Sequence, residues 1–486
     1  MANQDAVKIL KEELDVVMKD FPKEISIDFD GKNNLTMTLL LEATGIINNQ
    51  SGQVTNMQDN NACFEGWVLA IRAANENLNI KLCVSGLDEE LRSLSKSMNQ
   101  DDDFAEKTTI VENEKWIDKL VLGKLSMNEL TDCLFHKLFW NISDKNRCHF
   151  GRFLYRVLRF SEQYGKVKGS GWFELDAVLE CLCKCFDRYL KNNLFLNTIP
   201  RCEPKRISSI AEYDDKSKSS KEYFVEQQMW DGKLKLYVND AECIGRQFPV
   251  SLFEGFVSKG TRIFSGGFLD LWSLNSVDGD ELTIYELKTK NQMVGALTEI
   301  FFYANFMYDL CVKKIFDISS PTDKNYRNYD YIYLFAKRNV TRVTKKVKGI
   351  ILFDDTNLHP LLAMSNIIEI MNKNRGTYQG DKVQDEIQEH TDEGCKPKDV
   401  KDFDGDENTV THEHFDLEYY VQEILNYEND QGEEQIKEVF TANEVREKLL
   451  RELKEKGNQL SQDQIIQGVK EEMNLDAENL EREHKR

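Results

Sequence analysis

No run of about 18 apolar residues occurs in the 486-residue chain, so no membrane-spanning helix is expected. The opening MANQDAVKILKEELDVV reads as an amphipathic helix and lacks the apolar core of a signal peptide. There is no G-x-x-x-x-G-K-[ST] loop, so ATP hydrolysis by that route is not expected. Zinc-finger, homeodomain and RNA-recognition signatures are also missing, and no base preference can be read. The 11 cysteines are scattered. Cys181, Cys183 and Cys185 share a helical pattern in which alternate residues diverge, so one zinc cannot collect all three. Reduced, mostly buried thiols in a cytoplasmic protein are the expectation.

The net charge of −21 argues against a nucleic-acid partner only until its distribution is inspected. Residues 381–486 carry 31 acids against 14 bases, a balance of −17, which leaves −4 for residues 1–380. The acidity is a property of the tail. Between Lys337 and Lys348 the run KRNVTRVTKKVK holds six bases and no acid. Arg342, Lys345, Lys346 and Lys348 are therefore candidate phosphate contacts, binding without regard to sequence. The alternative is a solvated hairpin tip. Lys216, Lys218, Lys221, Arg246, Lys259 and Arg262 add positive charge to the same region.

Four segments are expected. Residues 1–200 form an α-rich N-terminal domain with an early hairpin at EISIDFDGKNNLTMTLLLEAT, whose turn is signalled by Asp30-Gly31. CFEGWVLAIRAA fits helix or strand. From Lys115 to Leu190 the pattern is helical, with breaks at Asn141–Asn146 and Gly165–Gly171. Pro200, Pro204 and a charge shift mark a boundary. Residues 201–375 then read as helix (SSKEYFVEQQMW), three strands (CIGRQFPVSLF, IFSGGFLDLWSL, LTIYELK), helix (GALTEIFFYANFMYDLCV), strands DYIYLFA and VKGIILF, and a last helix. Pro249 hints at an edge or bulge. Residues 376–411 are an acidic linker. Residues 412–486 are expected to form three short amphipathic helices, the first carrying Leu417, Tyr420, Val421 and Ile424. Thr441-x-x-Glu444 and Ser461-x-x-Gln464 would cap the other two. Such stripes need a partner surface: either the tail folds back on the basic face as an electrostatic cover, or, as the helical stripe Ile465, Ile466, Val469 and Met473 favours, it docks another protein or a second copy of the chain.

The stretch DELTIYELKTKN raises the chemical question. Strand alternation puts Ile284, Glu286 and Lys288 on one face and Leu287 on the other. Asp270 lies on the preceding arm of the hairpin. Two carboxylates and a lysine then converge at the end of a sheet. A hard divalent cation takes oxygen ligands, which Asp270, Glu286 and the Leu287 carbonyl can supply. A charged Lys288 cannot ligate, but it can orient or deprotonate water or steady a phosphate. His136, His149 and His359 read as packing or capping residues rather than ligands.

The pieces GGFLDL and YELK, with the helix–strand–strand–strand–helix–strand order around them, resemble the PD-(D/E)xK nuclease superfamily over residues 218–373. The resemblance implies a restriction-endonuclease-like mixed sheet flanked by helices, preceded by the helical region and followed by the helical acidic tail. It implies that Asp270 and Glu286 bind Mg²⁺ or Mn²⁺ and that Lys288 assists the attacking water. Glu226, with Glu222 second, is the candidate acid from the first helix. Glu299-x-x-x-Tyr303 stands where many members carry Q-x-x-x-Y, which puts that amide role in doubt while keeping Tyr303 as a candidate substrate contact. Leu269 replaces the usual proline. The implied activity is metal-dependent hydrolysis of DNA in a prokaryotic defence or restriction system. The alternatives are a scaffold with an inactive nuclease fold, or an RNA-directed nuclease.

Overall fold

The computed structural model describes residues 21–30, 33–46, 56–98, 132–165, 171–197, 222, 226, 243–274, 280–288, 294–318, 340, 344–354, 365–373, 417–428 and 434–441. In chain order the elements are β1 (Ser26–Phe29), β2 (Asn34–Leu39), α1 (Phe64–Ala74), β3 (Asn79–Val84), α2 (Leu87–Met98), α3 (Asp132–Asn141), α4 (Asp144–Tyr164), β4 (Phe173–Leu175), α5 (Ala177–Asn192) and β5 (Phe195–Asn197). Then come β6 (Cys243–Glu254), β7 (Arg262–Leu274), β8 (Glu281–Lys288), α6 (Gly295–Cys311), β9 (Asp317–Ile318), β10 (Lys346–Asp354), α7 (Ser365–Lys373), β11 (Leu417–Glu428) and β12 (Glu434–Thr441). The class is mixed α and β, with mixed sheets flanked by helices. Among the described residues no helix is long and apolar enough to cross a membrane.

β1 and β2 form the expected antiparallel hairpin. They extend into a four-stranded sheet ordered β1-β2-β3-β4, with β2, β3 and β4 parallel. This sheet was not legible, because β3 (NIKLCV) is short and β4 has three residues. CFEGWVLAIRAA resolves as helix α1 from Phe64, buried along most of its length. The break expected at Asn141–Asn146 separates α3 from α4, and α4 ends at Tyr164. Asp176 caps α5: its Oδ1 accepts from the backbone N–H of Val178 (2.8 Å) and Leu179 (2.9 Å).

The second sheet has eight strands in the order β12-β11-β10-β8-β7-β6-β5-β9. β6, β7 and β8 make an antiparallel meander. Helix α6 precedes β10, which lies parallel to β8. Gly349 on β10 makes that packing possible: a Cβ there would come within 3.0 Å of Ile300 and 3.1 Å of Ala304 on α6. Pro249 is accommodated because β5 covers the outer side of β6 only at Phe253 and Glu254, and the register slips between Val250 and Leu252.

Elements on both sides of residue 200 contribute to one continuous apolar core running from Ile25 to Tyr419. Charges cross it in pairs. Arg156 on α4 binds Glu65 on α1 at 3.0 Å, and Thr298 on α6 donates to the same carboxylate oxygen, also at 3.0 Å. Arg159 binds Asp309 on α6 at 2.7 Å, and the Tyr155 hydroxyl donates to the same Asp309 oxygen. Each of these buried carboxylates is met by two donors at one oxygen, while the other oxygen, Oε1 of Glu65 and Oδ1 of Asp309, is buried without a hydrogen bond.

The C-terminal expectation is corrected. Leu417, Tyr420, Val421 and Ile424 lie on strand β11, not on a helix, and β11 runs parallel to β10 from Val347↔Leu417 to Asp354↔Ile424. Thr441 closes β12 and starts no described helix. Glu444, Ser461 and Gln464, the strand DYIYLFA and the linker 376–411 lie outside the described residues.

Candidate active site

The β7–β8 register runs from Leu274↔Leu282 to Leu271↔Tyr285, so one further step sets Asp270 beside Glu286. Asp270 Oδ2 accepts from the backbone N–H of Leu287 at 2.8 Å, which fixes this carboxylate across the strand pair. Lys288 Nζ lies 2.6 Å from Glu286 Oε1, so the two share a face as the alternation requires. The same ammonium lies 2.7 Å from Glu299 Oε2 on α6. Lys288 is therefore clamped between two carboxylates, and Gln58, from the loop before α1, donates its amide to the other Glu299 oxygen.

This strand end is buried rather than wet. Glu286 is 4 % exposed and Glu299 2 %. Leu287 packs its side chain into the apolar interior. Tyr303, one helical turn after Glu299, is buried and lies against Gly267 of β7, within 3.3 Å of where a Cβ there would sit. Glu226 is buried too, held by Gln247 Nε2 at 2.8 Å and by Arg246 Nε at 3.3 Å. Arg246 is thus spent on an internal pair and is no surface phosphate contact. Gln247 lies between the pairs Arg246↔Leu271 and Phe248↔Leu269, across from Asp270, with φ 48° in the left-handed region. A non-glycine residue there marks local strain, which concentrates at functional sites.

Burial and crowded acids distort the ionisation of Asp270, Glu226, Glu286, Lys288 and Tyr303. Burial pushes Asp270 up to about 7, although Lys288 and the Leu287 N–H pull it down. Burial, then Asp270, pushes Glu226 up to about 8 against Arg246 and Gln247. Glu286 is raised well above the carboxylate range by burial and by Asp270. Burial alone would lower Lys288, but Glu286, Glu299 and Asp270 hold it well above the usual lysine value. The Tyr303 phenol is raised by burial and then by Glu286. The site holds more acid than base and favours an added cation.

One atom bears directly on that cation. Glu286 Oε2 is buried and has no hydrogen-bond partner, an uncompensated state for a carboxylate oxygen. Among the described residues no three Asp, Glu, His or Cys side chains already stand as a complete ligand set.

The basic run falls elsewhere. Lys346↔Glu281 opens the β8–β10 register, whereas Glu286 pairs with Ile351, so Lys345 and Lys346 sit at the opposite end of these strands from Lys288. Seven residues of strand separate the two ends, about 23 Å. Lys345 is exposed and lies 3.4 Å from Asp280, and Lys348 lies 2.9 Å from Glu281. Arg342 lies outside the described residues. Of the histidines, His136 meets Glu254 at 3.2 Å, His149 meets Arg152 at 3.4 Å, and His359 is not described.

Sequence reasoning missed Gln58, Gln247 and Arg152. Arg152 on α4 is within electrostatic reach of Tyr303 and Glu299 and brings a positive charge to the site. Gln58 is 241 residues from its partner, and no spacing rule links them. No protein-family model, curated protein or solved structure matches this chain.

Proposed function

We propose that the chain is a metal-dependent nuclease that hydrolyses phosphodiester bonds of DNA, with Asp270, Glu286 and Lys288 at its centre. The carrying observation is the meeting of these three side chains at one sheet end, with a buried Glu286 oxygen left unpartnered. The meander followed by a helix and a parallel strand supports a restriction-endonuclease-like reading of residues 218–373. Asp270 and Glu286, with the Leu287 carbonyl, would hold Mg²⁺ or Mn²⁺, and Glu226 beside Asp270 is the further acid. Such a cation supplies charge neutralisation and a lowered pKa for bound water. Lys288 orients the water and offers its ammonium to the scissile phosphate, stabilising negative charge as it builds. Arg152, within electrostatic reach of Tyr303 and Glu299, would supply positive charge for phosphate. A defence or restriction setting remains a proposal resting on the resemblance alone.

The test is incubation of purified protein with Mg²⁺ or Mn²⁺ and supercoiled plasmid, linear duplex, single-stranded DNA and RNA. Metal-dependent cleavage of DNA is expected. Cleavage of RNA alone would make it an RNA-directed nuclease, and cleavage of nothing would leave a scaffold.

Metal linkage gives an assay that needs no substrate. The ordinary carboxylate values of 3.8 for Asp270 and 4.5 for Glu226 describe the unfolded chain, and the folded values of about 7 and about 8 are higher. The folded state therefore binds more protons in between. The stability these protons confer is complete below pH ~4 and is lost as pH rises through 7 to 8. A cation requires the ionised ligands, so Mg²⁺ should raise the melting temperature more at pH 8.5 than at pH 6. Equal shifts at both pH values would remove these acids from the metal site.

The basic run is tested by salt dependence. Because Asp280 and Glu281 already pair with Lys345 and Lys348, changing Lys345, Lys346 and Lys348 together to Gln should lower the slope of log affinity against log salt by about one rather than three. Binding should weaken evenly across sequences. An unchanged slope would make the run a bystander.

A further inference from the structure

We infer that Gln58 and Glu299 are positioning residues that hold the Lys288 ammonium against Glu286, so the N-terminal region completes the active site. The inference rests on the nuclease reading for its catalytic meaning, but the clamp itself can be tested without it.

Three observations converge. Lys288 Nζ lies 2.6 Å from Glu286 Oε1 and 2.7 Å from Glu299 Oε2, so a long flexible side chain is fixed at its tip from two sides. Glu299 is itself fixed: one carboxylate oxygen takes Lys288 and the other takes the Gln58 amide. The third observation lies one turn earlier. A Cβ on Gly295 would fall 2.2 Å from the Gln58 carbonyl oxygen and 2.7 Å from its Cα. Only glycine lets the first turn of α6 approach that loop, and the approach brings Gln58 to Glu299. Gln58, Gly295, Glu299 and Lys288 form one chain of contacts from the N-terminal region to the reacting strand.

A carboxylate at 299 suits this arrangement better than an amide would. One oxygen accepts from the neutral Gln58 amide and the other forms an ion pair with the Lys288 ammonium. Glu286 is left with its other oxygen buried and without a hydrogen-bond partner. The clamp therefore holds the lysine near the phosphate site while sparing an oxygen for the cation. Reacting groups held loosely lose rate steeply, and supporting contacts of this kind commonly change activity by 10- to 100-fold.

The experiment uses the full chain and four variants: Gln58→Leu, Gly295→Ala, Glu299→Ala and Glu299→Gln. With plasmid DNA and saturating Mg²⁺, Gln58→Leu should lower kcat about tenfold with KM unchanged, and Glu299→Ala about 100-fold. Glu299→Gln keeps an acceptor for Lys288 and should recover about tenfold over the alanine variant. A second readout is pulsed acetylation of lysines followed by peptide mapping, with exposed Lys345 as internal reference. Lys288 should label slowly in the wild type and about tenfold faster in Gln58→Leu, Gly295→Ala and Glu299→Ala. If the wild type cleaves no nucleic acid, the nuclease reading fails, and the labelling still decides the clamp. Folded Gln58→Leu protein with wild-type kcat, or with Lys288 labelled as slowly as in the wild type, overturns the inference.

Discussion

Glu286→Gln should abolish cleavage, by about 10³-fold or more, while leaving the protein as stable as the wild type or more so. Lys288→Met should abolish cleavage equally and cost about 3–5 kcal/mol of stability. From the sequence both residues look like polar groups at a strand end outside the core, whose loss would change stability little. The structure reverses that for the lysine. Its ammonium is the shared partner of Glu286 and Glu299, and both carboxylates are buried. Removing it leaves two buried acids without their cation, and Glu286, already raised well above the carboxylate range, must hold a proton to stay inside. The penalty then grows with pH, because stability held by protons on acids with raised folded values is lost as pH rises. Removing the Glu286 charge instead relieves repulsion with Asp270 while Lys288 keeps Glu299. Cation binding needs that charge, so the stabler protein is the inactive one. Urea melts at pH 6 and pH 8 with cleavage assays check the pair. Lys288→Met as stable as the wild type at pH 8, or an active Glu286→Gln, would remove the clamp or the ligand.

Much of this site was legible because it is written in local rules. Period-two alternation put Glu286 and Lys288 on one face, and the turn signal before β8 set Asp270 on the adjacent arm. The spacing Glu299-x-x-x-Tyr303 placed two side chains one turn apart on a helix that does pack on β8 and β10. What could not be read depends on long-range approach. Gln58 reaches Glu299 only because two distant segments meet at a glycine. The direction of the basic run was equally hidden. Its charges are obvious in sequence, but only the register Lys346↔Glu281 shows that it opens β10 at the end away from Lys288. The four-stranded sheet was missed because its later strands are too short to show a pattern against helical neighbours.

The segment LEYYVQEILNYE shows how one pattern can serve two periods, and it changes the expectation for truncation. Leu417, Tyr420, Val421 and Ile424 satisfy a helical stripe, which is why the sequence reads there as the first of three tail helices. The same residues are rich in the aromatic and β-branched types that favour strands, and the exposed flank of β10 decides between them. Eight residue pairs join β11 to β10. Tyr419 is fully buried: its hydroxyl accepts from Asn305 of α6 at 2.9 Å, and its ring stacks on Phe301 at 6.1 Å. Asn372 of α7 bonds the Tyr419 backbone twice, at 2.8 Å and 2.9 Å. Deleting residues 412–486 would therefore uncover a long apolar edge on β10 and strip a wall from α6, the helix that carries Glu299. The truncated chain should aggregate or unfold rather than change its assembly cleanly, whereas a chain ending after Thr441 should keep its fold. Tyr419→Ala should destabilise the full chain by about 3–5 kcal/mol through the same contacts, as expected for a buried aromatic. Thermal melts and light scattering on the two truncations decide the matter. A folded, monodisperse and active chain lacking residues 412–486 would show that β11 is dispensable and that its pairing with β10 contributes little.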